Sequence, residues 1–226
     1  MNFNDKYRPQ DFTEIVGNRE IMEQIEGFIL SGSIPHLLFY GKPGTGKTTL
    51  AEVIAEKVLG GRDSENFIEL NASDERGIDD VRKTVIRAIK HLPFGAPCKI
   101  IFLDEADGLT KDAQQVLRRP MEKSHGNLFI IACNDVFSII EPIRSRCAVY
   151  FFAPISESET VKGLKRIVDS EGLEISDEQL EAIAREAKGD MRTAVNELQK
   201  LGAGNGREAE IERRVAEMLK AQGMTG

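Results

Sequence analysis

The sequence predicts an α/β fold, a parallel five-stranded sheet flanked by helices, followed by a small all-α domain. Three observations predict it. Short apolar runs alternate with stretches of helical periodicity as far as residue 152. Polar clusters stand directly behind those runs, at the carboxyl ends where open parallel sheets bind ligands. After Ala153-Pro154 no strand-like run recurs, and helix-opening signals take over.

Residues 1–17 read as an irregular arm, because Pro9 pushes Arg8 to extended geometry and Lys6-Tyr7-Arg8-Pro9 cannot start a stable helix. A first helix is expected from Asn18, its cap, to Leu30, with Ile21, Ile25, Phe28 and Ile29 on one face. Leu37 to Tyr40 is the first buried strand. Gly41-Lys42-Pro43-Gly44-Thr45-Gly46-Lys47-Thr48 follows and fits G-x-x-x-x-G-K-[ST]. A helix from Thr49 to Leu59 comes next, with Leu50, Val53, Ile54 and Val58 at helical spacing. Phe67 to Leu70 is a second strand, followed by a polar turn from Asn71 to Gly77 and a helix from Ile78 to His91.

Lys99 to Leu103 is a third strand, ending in Asp104-Glu105-Ala106-Asp107. Thr110 caps a helix that runs to about Lys123. Pro120 inside it costs about 3 kcal/mol in a helix interior and predicts a kink near Val116. Asn127 to Cys133 and Ala148 to Phe152 are the fourth and fifth strands. Ser156-Glu157-Ser158-Glu159 and Ser176-Asp177-Glu178-Gln179 are capping boxes that open two further helices, and Asp190 caps a third. The expected division is an α/β domain over 1–153, a three-helix domain over 154–203, and a linker with a terminal helix over 204–226.

Composition sets the bounds. The chain has 226 residues, 41% hydrophobic and 30% charged, with a net charge of -7. That is enough to bury a core, and it argues against nucleic-acid binding by bulk charge while leaving room for a local basic face. Cys98, Cys133 and Cys147 form no C-x-x-C pair, so neither a zinc site nor a disulfide framework is indicated, and reduced thiols are expected. No signal peptide or membrane-spanning run appears, so a soluble intracellular protein is expected.

The chemistry centres on the glycine-rich stretch. A triphosphate needs converging backbone N–H groups and a helix N-terminus aimed at its charge, hence Gly41, Gly44 and Gly46. Lys47 reaches the β and γ phosphates, and Thr48 offers a hydroxyl to Mg²⁺; Thr49 completes the set of loop contacts. Asp104 at the strand end suits Mg²⁺, partly through water, and Glu105 suits polarisation of an attacking water. Asn134 either orients that water or makes an Asx turn. Arg146 reads as an arginine finger or as a surface ion pair. Arg192 stands in the first turn of a helix, where a cation is disfavoured unless a phosphate holds it or solvent does. No Asn-Lys-x-Asp occurs, so adenine is favoured over guanine and ATP is the expected cofactor.

Together these residues resemble the AAA+ ATPases, and more closely the replication factor C small-subunit family of clamp loaders. Lys6 to Pro9, Gly41 to Thr48, Glu69 to Asp79, Asp104 to Asp107, Leu117-Arg118-Arg119, Ile140 to Ile143 and Ser145-Arg146-Cys147 look like that family's boxes in its order. The resemblance implies a P-loop AAA+ domain with a sensor-2 lid, ATP and Mg²⁺ as cofactors, and action of Asn134 and Arg192 on the chain's own nucleotide. It implies that Arg146 acts in trans on a neighbour's ATP, and that Lys6, Tyr7, Arg8, Pro9, Ile15 and Val16 enclose the adenine. It further implies a pentameric ring with a large subunit and other small subunits, a sliding clamp and primer–template DNA as partners, and no membrane. Arg82, Lys83 and Lys111 are the DNA-contact candidates. Location would be cytoplasmic, or nuclear in a eukaryote.

The chain departs from the family at Lys42, where proline is usual, at Pro120, and at Asp135, where an aromatic is usual. The family's collar could begin only near Arg207. Rival readings are a nucleotide-binding scaffold subunit without hydrolysis, another AAA+ DNA remodeller such as a Holliday-junction motor, and a helicase suggested by Asp104-Glu105-Ala106-Asp107.

Overall fold

A computed structural model describes residues 2–61, 65–72, 83–87, 93–123 and 126–203. The chain divides into two compact units, one of residues 9–154 and one of residues 1–8 with 155 onward. The arm expected to belong wholly to the α/β domain therefore contributes its first residues to the helical unit. The span 204–226 lies outside the described residues.

In the larger unit, β1 (His36–Gly41), β2 (Phe67–Asn71), β3 (Lys99–Asp104), β4 (Asn127–Cys133) and β5 (Cys147–Phe152) form one sheet in the order β2-β3-β4-β1-β5 among the described residues. All four pairings are parallel. Parallel strands covered on both sides need apolar residues at consecutive positions, and alternation then divides them between two cores. Leu38, Ile101, Leu103, Phe129, Ile131 and Cys133 face one core. Leu37, Phe39, Ile100, Phe102, Leu128, Ile130 and Ala132 face the other.

The second core is closed by α2 (Arg19–Ser31) through Ile21, Met22 and Ile25, and by α3 (Lys47–Leu59) through Leu50, Val53 and Ile54. The first is closed by α5 (Lys111–Glu122) through Ala113, Leu117 and Met121. Residues 83–87 are helical (α4) and bury Val85 in that same core; the rest of the helix expected over 78–91 lies outside the described residues. α5 is continuous through Pro120, which stands in its last turn. A proline there forgoes only the bond to the Val116 carbonyl, so the helix is not ended by it. Among the described residues no helix is long and apolar enough to cross a membrane.

Two local readings change. Phe3–Lys6 is a short helix, α1, capped by the Asn2 side chain on the Asn4 N–H, and Phe12–Glu14 is a turn of 3-10 helix capped by Asp11. Asn18 stands at the N-cap of α2, but in left-handed geometry (φ 51°) and without a side-chain cap bond. Its amide instead accepts from the Ala153 N–H at 2.9 Å and donates to the Ala153 carbonyl at 3.2 Å. This tertiary pair ties the start of α2 to the chain just beyond β5.

The helical unit contains α7 (Glu157–Glu171), α8 (Asp177–Ala187) and α9 (191–203). Both expected capping boxes form, from Ser156 with Glu159 and from Ser176 with Gln179. Asp190 accepts from the Thr193 N–H at 3.0 Å and caps α9. Leu164, Ile167, Leu180, Ile183, Ala194 and Leu198 form the core, and Phe3 and Tyr7 of the arm pack on it.

Candidate functional site

The phosphate loop joins the end of β1 to the start of α3. Gly41 ends β1 at φ 147°, and a Cβ there would meet the Phe152 carbonyl oxygen at 2.3 Å. The close register of β1 and β5 thus permits only glycine. Gly46 is the N-cap of α3 in left-handed geometry (φ 99°) and supplies no side-chain cap. A helix N-terminus without a side-chain cap is the arrangement that anion-binding helices use. Thr45 closes the loop by donating to the Lys42 carbonyl at 2.8 Å.

Lys47 is buried, with Nζ donating to the carbonyls of Gly41 at 2.7 Å and Lys42 at 2.8 Å. These carbonyls satisfy the buried ammonium and hold it against the loop. Thr48 Oγ1 donates to Asp104 Oδ2 at 2.8 Å, joining the first turn of α3 to the end of β3. No group of three acidic, histidine or cysteine side chains could hold a metal by itself among the described residues. A hydroxyl and a carboxylate beside a phosphate loop fit Mg²⁺, which takes few protein ligands and completes its octahedron with phosphate and water oxygens.

Glu105 follows at φ 51°, exposed, with its N–H donating to Asp104 Oδ1 at 2.9 Å. Left-handed geometry costs a non-glycine residue on the order of 1–3 kcal/mol and persists where surroundings enforce it. Here the bond to Asp104 and the 3-10 turn Ala106–Gly108 on its far side enforce it. The turn places Asp107, whose Oδ2 accepts from Asn134 Nδ2 at 3.2 Å. Asn134 is exposed, one residue beyond β4. Cys133 is buried beside this pair; burial first, and the Asp107 carboxylate next, push its thiol up to about 12. It stays protonated and serves as packing.

Arg146 is bound within this unit, its guanidinium donating to the Pro142 carbonyl and to the Glu122 carboxylate. It follows α6 (Glu141–Arg144), which is reached through the 3-10 turn Val136–Ser138. Buried Gln114 on α5 holds that connection. Its Nε2 donates to the carbonyls of Leu109 at 3.2 Å and Ser138 at 3.0 Å, and its Oε1 accepts from the Ile140 N–H at 2.8 Å.

Of the residues expected around adenine, Ile15 lies 3.8 Å from the Cβ position of Gly46, at the loop itself, and Val16 is half-buried next to it. Lys6 and Tyr7 belong to the helical unit, where both donate to Glu171 Oε1 at 2.7 Å. Arg8 and Pro9 are half-buried. Arg192 is exposed in the first turn of α9. Lys83 and Lys111 are exposed, and Arg82 lies outside the described residues.

Sequence reasoning missed Asp107 as a partner of Asn134, Glu122 as a partner of Arg146, Glu171 beneath Lys6 and Tyr7, and Gln114. Gln114 carried a signal: it is polar beside Ala113 and Leu117 on the buried stripe of α5. The others carried none, because their partners are distant in the chain.

Residues 37–155 match the model of the ATPase family associated with various cellular activities, and residues 162–200 match an RCF1/5-like AAA+ ATPase lid domain. The chain is 48% identical over 197 residues to a replication factor C small subunit of Methanocella arvoryzae, covering 86% of this chain and 61% of that protein. Identity is 49% to the replication factor C small subunit of Archaeoglobus fulgidus, with 86% and 62% covered. It is 48% to replication factor C small subunit 2 of Pyrobaculum arsenaticum, with 90% and 64% covered. The chain thus spans under two thirds of the length of these relatives. Among solved structures, the Thermotoga maritima RuvB Holliday junction branch migration motor superimposes with a TM-score of 0.72 at 24% identity, covering 85% of this chain and 64% of that one. That likeness shows the fold alone.

Proposed function

The chain belongs to the ATPase family associated with various cellular activities, and from that premise we propose that it binds ATP with Mg²⁺ and hydrolyses it as a clamp-loader subunit. The observation that carries this reading is the Thr48–Asp104 bond of 2.8 Å beside an uncapped helix N-terminus and a buried Lys47. It sets a hydroxyl and a carboxylate suited to a cation beside a loop suited to phosphate. The similarity to replication factor C small subunits supports the clamp-loader role over other remodellers.

In this reading Lys47 and the first N–H groups of α3 bind the β and γ phosphates and orient the triphosphate. Thr48 and Asp104 hold Mg²⁺, which neutralises charge on the phosphate oxygens when bound. Glu105 accepts a proton from the attacking water. Asn134 orients that water, and Ile15 and Val16 border the adenine. Arg146 leaves Glu122 to stabilise charge on ATP bound by a neighbouring subunit, a role worth several orders of magnitude in rate where such fingers act.

The proposed assembly is a pentameric ring with a large subunit and other small subunits, which opens a sliding clamp and places it on primer–template DNA in the cytoplasm. Lys83 and Lys111 are proposed phosphate contacts. The test is ATPase activity of the chain alone and with a large subunit, clamp and primed DNA at fixed salt. Strong stimulation by clamp plus DNA supports the motor. Tight ATP binding without turnover in any mixture favours a scaffold subunit.

A further inference from the structure

Asn134 has two ends, and which one faces the site decides what it can do. A carbonyl oxygen can accept a hydrogen bond from water, whereas the NH₂ group can only donate, for example to a phosphate. The partner on the other side settles the choice. Asn134 Nδ2 lies 3.2 Å from Asp107 Oδ2. A carboxylate offers only acceptors, so the amide must turn its NH₂ toward Asp107 and its oxygen away. Reversing the amide would set oxygen against oxygen.

Asp107 is itself well placed to impose this. It stands in the 3-10 turn Ala106–Gly108, closed by the Gly108 N–H on the Glu105 carbonyl at 2.8 Å and the Leu109 N–H on the Ala106 carbonyl at 3.2 Å. Its neighbours Ala106 and Leu109 are buried in the core beside Cys133. Its second oxygen, Oδ1, is buried and makes no hydrogen bond to a described residue. The same turn begins at Glu105, so base and amide are set by one short segment.

We propose that Asp107 is a positioning residue for hydrolysis: it fixes the Asn134 amide so that Oδ1 accepts a hydrogen bond from the attacking water. This rests on the reading of the chain as an ATPase. The water oxygen bonds to the γ-phosphorus, and the bond from that phosphorus to the β,γ-bridging oxygen breaks, its electron pair staying with ADP. One water proton passes to Glu105, and the other is the one held by Asn134 Oδ1.

The test compares the full chain with Asp107→Leu, Asp107→Ala, Asp107→Asn, Asn134→Ala and the double variant D107L/N134A, with Glu105→Gln as reference. ATP affinity and single-turnover hydrolysis are measured for each. Asp107→Leu and Asp107→Ala keep ATP affinity and slow hydrolysis roughly tenfold, the loss of one hydrogen bond to a charged group. The double variant is no slower than Asn134→Ala, since both act through one amide. Asp107→Asn keeps an acceptor oxygen and restores most of the rate. Nuclear magnetic resonance gives a readout independent of turnover. The Asn134 side-chain NH₂ signals, identified by their loss in N134A, move in D107L and D107A and return in D107N. Wild-type hydrolysis in both D107L and D107A, with E105Q inactive, overturns the proposal alone, as do independent, multiplying losses in the double variant. Undiminished hydrolysis by E105Q removes Glu105 as the proton acceptor and overturns the step as written, whereas no ATP binding or turnover by the unaltered chain overturns the ATPase reading and the proposal with it.

Discussion

Thr48 and Asp104, 56 residues apart in the chain, meet through a hydrogen bond of 2.8 Å between a hydroxyl and a carboxylate oxygen. The contact exists because β1 and β3 both flank β4, so their carboxyl ends open on the same edge of the sheet. Losing either partner strands the other. Thr48→Val should weaken Mg²⁺-dependent ATP binding by roughly 10-fold or more, the scale of a hydrogen bond to a charged group. Lys47→Ala should abolish binding. Titration calorimetry with and without Mg²⁺ checks both, and retention of tight binding by K47A would sink the site assignment.

Glu105 separates chemistry from backbone strain. Glu105→Gln should bind ATP and stop turnover. Glu105→Gly should be more stable than Glu105→Ala by about 1 kcal/mol, because only glycine takes φ 51° without a Cβ clash. Urea unfolding of the two variants measures the difference, and equal midpoints would mean that the left-handed geometry carries no strain.

Gln114 makes three hydrogen bonds from a buried position to Leu109, Ser138 and Ile140. Gln114→Leu has nearly the same volume but leaves buried backbone groups unpaired, at about 1–3 kcal/mol for each such group. We expect lower stability and a loosened approach to α6. Greater hydrogen exchange at the Ile140 amide in Q114L would register it, and unchanged exchange there would count against the role.

Arg146→Ala should spare ATP binding by the chain alone and lower hydrolysis only in an assembly. An equal loss in the isolated chain would rule out action in trans.

His36 predicts a pH dependence. Its Nδ1 accepts from the Phe129 N–H at 3.2 Å, so Nε2 carries the proton and lies 3.2 Å from the Met121 carbonyl. Burial lowers its pKa from 6.5, only partly countered by the Met121 bond. The unfolded chain therefore takes up the proton first. Stability from the neutral ring is complete above about pH 6.5 and declines as pH falls below it. His36→Gln should flatten that decline in urea unfolding between pH 7 and 5, and an unchanged slope would exclude His36 as its source.

The five strands, the phosphate loop, its helix and both capping boxes could be read from the sequence because each signal is local. Four to seven apolar residues in a row, a glycine-lysine-threonine spacing, or Ser-x-x-Glu acts within one or two turns of chain. The acids after β3 were legible for the same reason, since a strand end and the next residue specify both. Asn18 marks the limit. Its residue type predicted a helix cap, yet the Ala153 backbone drew its amide away, and nothing near residue 18 announced that partner.

The sequence by itself determined the alternation of elements and the glycine-rich loop between β1 and α3, and it singled out Lys47, Thr48, Asp104 and Glu105 as the residues proposed to act there. Only the tertiary structure decided the strand order, the join of Thr48 to Asp104, the hold of Asp107 on Asn134, and the docking of Phe3 and Tyr7 on the helical core. The reason is physical. Periodicity and capping depend on neighbours three or four residues away, whereas a side chain's partner across the fold depends on how the sheet orders its strands.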